Sequence, residues 1–308
     1  MRMPLQDELA YAVRHVESAC RQRRGEGGER RFELVGSRLW PGIETLVDAL
    51  ARAGVRGAEL NFMPRVDELL ARRDAVVRCL PVLARQGLAL RLYGMGVENF
   101  SPAENMRLNK GVAAGQVHEA AGFMRETAER WPRQFRLPSG GLSMILFTPW
   151  TTIEDLLINI HHIERCPLID RSFAIGRRLQ LFPGLPITAL AAKDGLLAAA
   201  DEPFYNSGCI TSADRKEIPW RFRRPEVEVL WRLARRLSSN HGGVPADDPE
   251  RRRIDALLAG RRRPLTEDRR DPFTVFRRAV EIAASWTGSR RRRRRALSPG
   301  PPGNGMMS

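Results

Sequence analysis

Between Leu88 and Asp155 the chain reads strand, helix, strand, and each strand stops at residues that open a ligand-facing turn or a new helix. The first strand runs from Leu88 to Val97 through Tyr93-Gly94-Met95-Gly96, and a helix follows from about Glu104. The second, Leu142–Phe147, halts at Pro149, after which Thr151 or Thr152 can cap a helix carrying Glu154 and Asp155 in its first turn. The same alternation recurs on both sides. Upstream lie strands at Phe32–Gly36 and Ala58–Met63, with helices over 5–24, 43–54 and 66–86, the last interrupted at Pro81. Downstream, Arg178–Phe182 reads as a fifth strand. Strands alternating with helices predict βαβ units and an α/β fold with a parallel sheet. Five strands are too few to close an eight-stranded barrel.

After Gly195 the pattern changes. Residues 200–224 read as loop, 225–238 and 272–286 as helices, and 238–271 as a Gly-, Pro-, Asp- and Arg-rich stretch. From Thr287 a run of six arginines, Arg290 to Arg295, leads into Pro, Gly, Ser and Met, a composition expected to be disordered. The expected organisation is therefore an α/β body over 1–200, a C-terminal extension of helix and loop over 201–286, and a basic tail over 287–308.

The net charge of +15 is concentrated there, because residues 251–308 hold 16 arginines against 5 acidic residues. The body is close to balanced. Only three of the 51 basic residues are lysines: Lys110, Lys193 and Lys216. No apolar run approaches the roughly 18 residues that would span a bilayer. The N-terminus has no secretory pattern, so no membrane partner and a cytoplasmic location are expected. Cys20, Cys79, Cys166 and Cys209 are too widely spaced for a zinc or iron–sulfur motif. No Ser-His-Asp order, P-loop or Rossmann glycine motif is present, and Gly25-x-Gly-Gly follows a helix instead of a strand. No catalytic residue and no metal ligand can be assigned.

Glu98 is the leading candidate for binding. It stands at the C-terminal end of a strand, where α/β folds gather their binding groups, and the preceding glycines keep that end narrow. A carboxylate there accepts hydrogen bonds from paired hydroxyls such as those of a ribose. It could equally serve as a loop salt bridge or cap. Lys110 could be a solvated helix-end cation. His161 and His162 are adjacent on a helix and so point about 100° apart, which makes a shared metal difficult.

Gly96-Val97-Glu98 followed by Asn109-Lys110-Gly111 resembles the fourth-strand region of radical SAM enzymes. Ile145-Leu-Phe-Thr-Pro149 with Glu154-Asp155 resembles the fifth. Arg65-x-Asp67 matches a frequent third-strand pattern, although an ordinary salt bridge would use the same residues. The stretch from Arg178 to Gly195 is similar to the region that follows in cobalamin-binding members. The resemblance implies a partial, TIM-like parallel β/α barrel and S-adenosylmethionine as ligand. It implies that Glu98 holds the ribose hydroxyls and Lys110 the methionyl carboxylate. By the same resemblance, the backbone of Ile145 contacts the adenine, and Ser143 reaches the ribose or methionine moiety.

A [4Fe–4S] cluster is also implied, but its CxxxCxxC loop is absent from these 308 residues. Met1 falls where the helix after that loop would begin. The expected reading is a core truncated before the loop or, alternatively, a decayed one, inactive as written and with substrate unassigned. The competing class is a nucleic-acid-binding or scaffold protein. Weak, sequence-indifferent phosphate contact through Arg290–Arg295 is expected in either case.

Overall fold

A computed structural model describes residues 4–22, 30–34, 39–137, 141–199, 217–239 and 271–297. Expectations for the loop near Gly25, for 200–216, for 240–270 and for the tail after Leu297 lie outside the described residues. The chain divides into two compact units. One comprises Met1–Leu146 and His161–Ala174, the other Phe147–Ile160 and Ile175–Ser308.

The first unit is α/β with parallel pairing throughout. Strands β1 (Arg30–Glu33), β2 (Ala58–Phe62), β3 (Ala89–Leu92) and, later, β5 (Phe135–Arg136) form one sheet in the order β1-β2-β3-β5. Strands β4 (Met95–Glu98) and β6 (Leu142–Met144) form a second, two-stranded parallel sheet. The pairing between the segments at 88–97 and 142–147 is thus parallel, as a helical crossover demands. Helices α1 (Leu5–Gln22), α2 (Ile43–Arg52), α3 (Val66–Ala71), α4 (Arg73–Gln86), α5 (Pro102–Arg107) and α6 (Ala114–Arg130) connect these strands. Phe62 meets Trp40 at a ring separation of 5.5 Å. By strand alternation, Ala58 and Leu60 lie on the same face of β2 as Phe62, and all three are buried. Burying side chains such as Leu60 and Phe62 stabilises by about 1.5–3 kcal/mol each.

Four boundaries differ from the sequence pattern. The strand expected over 88–97 is two, because Gly94 adopts φ +58° and turns the chain out of the first ladder. Strand β5 is not among the strands expected from sequence, since two residues cannot display a period of two. The helix break lies at Arg72, whose φ of −119° and ψ of 12° are non-helical, and not at Pro81. Pro81 is tolerated inside α4 because it removes the donor to the Val77 carbonyl on an exposed face, where water can substitute. The strand expected at 178–182 is reduced to one parallel bridge, Phe147 to Arg178.

The second unit contains the first turns of α7 (Ile153–Arg165), then α9 (Pro186–Lys193), α10 (Pro225–Ser239) and α11 (Pro272–Leu297). The short α8 (Arg171–Ile175) precedes α9. An aromatic cluster anchors this unit: Phe147 meets Phe276 at 5.9 Å and Phe222 at 6.1 Å, and Trp220 meets Phe222 at 4.8 Å. Helix α11 continues past residue 286 to Leu297, so the tail expected to be disordered from Thr287 is helical as far as Leu297. Arginine stands high in helix propensity and extends a helix whose first turns are already packed. No helix among the described residues is long and apolar enough to cross a membrane.

Thr152 is the cap of α7. Its Oγ1 accepts the Asp155 amide at 3.2 Å, while Asp155 Oδ2 accepts the Thr152 amide at 2.8 Å, a reciprocal capping box. Thr152→Ala is expected to lower stability by about 1 kcal/mol in urea unfolding, with the fold unchanged.

Candidate functional site

Strand β4 ends in a bulge. Gly96 pairs with Ser143 and Glu98 with Met144, so Val97 is one residue too many for the ladder. Glu98 takes up the excess by adopting φ +63°, a left-handed conformation that a glutamate rarely occupies. Such strain persists only where surrounding contacts impose it, and it clusters at functional sites. Here the Ile145 amide donates to the Glu98 carbonyl at 2.6 Å and holds the backbone in that turn.

The side chain then folds back over Gly96. Glu98 Oε1 meets Lys110 Nζ at 2.6 Å, with the two side chains 16% and 27% exposed. A Cβ at position 96 would collide with Glu98 Oε1 and lie 3.3 Å from Lys110 Nζ. Glycine at 96 is therefore what lets the pair form. Lys110 takes only Oε1; among the described residues no donor is bonded to Oε2.

Lys110 arrives from a turn after α5 built by two left-handed residues, Asn109 at φ +51° and Gly111 at φ +64°. Asparagine and glycine are the types that tolerate this conformation, which is why Asn-x-Gly reads clearly in sequence. The Lys110 carbonyl accepts Arg65 Nη2 at 2.7 Å, and the same guanidinium binds Asp67 Oδ1 through Nε at 3.0 Å. The hydrogen bond to Asp67 holds the Arg65 pKa above its ordinary value, with Glu98 adding to the effect. Arg65 and Asp67 do form a salt bridge, but the pair also ties the end of β2 to the Lys110 turn. Sequence gave no sign of that second contact.

Ser143 lies beside this pair on β6, and Ile145 directly follows that strand. Ser143 Oγ donates to the Gly94 carbonyl at a long 3.3 Å. Ile145 gives its amide to Glu98, and its carbonyl accepts Asn99 Nδ2 at 2.9 Å. What a ligand would find at Ile145 is the second lone pair of that carbonyl. All four candidate residues thus come together at the C-terminal end of β4 and its partner strand.

A histidine pair stands in the same unit. His118 Nε2 and His162 Nδ1 are 2.9 Å apart, and the ring of Phe100 stacks on both, at 5.8 Å and 4.8 Å. His162 thus works with His118 of α6, a partner that sequence reasoning overlooked. Both pKa values lie below the ordinary 6.5, first through burial; Arg165 and His161 then lower that of His118, and His118, His161 and Arg165 that of His162. Below about pH 6.5 the unfolded chain therefore takes up protons that the folded one resists. Stability is expected to be complete above that pH and to fall as pH drops toward the two folded values. Urea midpoints across mildly acidic pH check this, and His162→Phe should shrink the loss. Carboxylates held low, such as Asp67 and Asp194, act in a more acidic window.

The cysteines among the described residues do not fit an iron–sulfur cluster. Cys20, Cys79 and Cys166 are buried and unpaired, and burial pushes the Cys79 thiol up to about 12 and raises that of Cys166. Cluster ligation requires exposed thiolates close together. Among the described residues no three His, Cys, Asp or Glu side chains are grouped to hold a metal ion. No protein-family profile, curated protein or solved structure matches the chain.

Proposed function

We propose that this chain is a radical SAM-type core, an incomplete parallel β/α barrel that binds S-adenosylmethionine at Glu98 and Lys110. The observation that carries the reading is the strained Glu98, folded over Gly96 and paired with Lys110 at a strand end. A structural salt bridge would not need a left-handed glutamate. A binding carboxylate does, because the bulge turns it back toward the end of the sheet where a ligand can reach it.

Glu98 Oε2 accepts the ribose hydroxyls. The Lys110 ammonium, with one of its three donors on Oε1, keeps others for the methionyl carboxylate. Ser143 on β6 and Ile145 just after it adjoin the pair. The 308 residues carry no CxxxCxxC spacing, so on this reading they bind the ligand without cleaving it reductively.

Isothermal titration with two ligands tests this. S-Adenosylmethionine carries both ribose and carboxylate, whereas 5′-methylthioadenosine carries only the ribose. Glu98→Ala should weaken both by about tenfold or more, equivalent to ~1.5–3 kcal/mol for bonds to a charged group. Lys110→Ala should weaken only the first. Absence of saturable binding, or equal losses for both ligands with Lys110→Ala, would refute the assignment.

A further inference from the structure

His118 and His162 face each other across a single proton. Their nitrogens are 2.9 Å apart and their ring centres 5.2 Å, so Nε2 of the first looks at Nδ1 of the second. Such a bond needs one N–H and one lone pair. It holds when the pair is neutral, and it holds when the pair carries one extra proton. With both imidazoles protonated, two N–H groups and two positive charges oppose each other, and the contact is lost.

Among the described residues the charges that act on the pair are Arg165 and His161 of α7, and no carboxylate offsets them. Together with burial they favour the uncharged rings, so the contact is complete at neutral pH and is lost in mild acid. His118 stands on α6 and His162 on α7, so this contact ties two helices.

The pair also backs the candidate site. Phe100 is 3% exposed and lies nearly parallel to both imidazoles, at 16° and 23°. It follows Glu98 by two residues. Between them Asn99 Nδ2 donates to the Ile145 carbonyl at 2.9 Å, and Asn99 Oδ1 accepts the Ser101 amide at 2.9 Å. The left-handed Glu98 is thus followed directly by a segment that rests on the histidine pair. A strained backbone keeps its shape only while such supports stay in place.

We infer that the His118–His162 pair is a pH-sensitive latch on the Glu98 turn, closed while the two rings share a proton and open once both are protonated, so that ligand affinity at Glu98 and Lys110 falls in mild acid. The ligand part of this inference rests on the S-adenosylmethionine reading, whereas the latch itself does not.

Two measurements on the full chain keep them apart. Without ligand, the Ile145 amide, which donates to the Glu98 carbonyl, reports on the turn. In an NMR titration from about pH 7.5 to about pH 5, its resonance should move in step with the histidine signals. It should stay fixed in His162→Phe, which keeps a ring against Phe100 but leaves no imidazole pair. With ligand, calorimetric affinity for S-adenosylmethionine should fall about fivefold or more over the same range, and by much less in the variant. Groups that titrate elsewhere in the chain or on the ligand are common to both proteins, so the difference between them is the latch. His118→Gln, whose amide oxygen accepts from a protonated His162, should also keep the contact in acid and decides the matter if the phenylalanine variant does not fold. An Ile145 resonance that ignores the histidine titration, or affinities with equal pH dependence in wild type and variants, would overturn the latch. Absence of binding at every pH would refute the S-adenosylmethionine reading alone, and the amide titration would still decide the latch.

Discussion

Replacing Glu217 with alanine should cost about 3–5 kcal/mol of stability, the largest single effect expected in this protein. Glu217 and Arg178 form an ion pair in the second unit, 6% and 5% exposed, with Arg178 Nη2 on Glu217 Oε1 at 3.3 Å. Gln180 Nε2 donates to the other oxygen at 3.2 Å. The Arg178 guanidinium also lies over the rings of Trp220 and Trp231, 5.2 Å from each centroid. Removing the carboxylate takes from this buried, indole-flanked cation the counter-charge that Glu217 supplies. Burial already lowers the Arg178 pKa to about 10 and raises that of Glu217 despite the partner's charge. Desolvation therefore outweighs attraction in this pair. It follows that Arg178→Met combined with Glu217→Leu should recover most of the loss, whereas either single change should not. Urea unfolding of the three variants measures this. A small loss for Glu217→Ala would mean that water reaches Arg178.

Gly96→Ala should abolish the arrangement at Glu98 while leaving the fold intact. Gly96 is not among the residues with positive φ, so alanine fits its backbone. The added methyl instead occupies the space of the Glu98 carboxylate and presses on Lys110. Glu98 must swing away, and its strained backbone turn then no longer aims the carboxylate. Affinity for S-adenosylmethionine is expected to fall about 10–100-fold, or ~1.5–3 kcal/mol. Stability should change by less than ~1 kcal/mol, because the ion pair is partly solvated. Titration and urea midpoints read the two quantities separately. Unchanged affinity in a folded variant would remove Glu98 from the site.

The alternation of apolar and polar runs was sufficient to predict an α/β chain with parallel pairing, because periodicity and connection length are local properties. Residue types with strong backbone preferences were equally legible. Asn109 and Gly111 mark the Lys110 turn, and Thr152 with Asp155 marks the start of α7, each through conformational or capping chemistry carried by the residue itself. Even the candidate carboxylate could be chosen from its place after two glycines at a strand end.

What sequence could not supply is everything that depends on register and on distant partners. Gly94 divides one expected strand into β3, which pairs with β5, and β4, which pairs with β6 in a separate sheet. Arg65 bonds the Lys110 carbonyl across 45 residues, and His118 meets His162 across 44. Neither spacing has any signature. Whether Arg31, Arg91 and Arg136, on separate strands, converge on Glu59 depends on ladder registers, and a one-residue slip would send each to the opposite face. Local backbone preference is written residue by residue and can be read that way. The chemistry of the candidate site exists only once packing has chosen which strands pair and in what register.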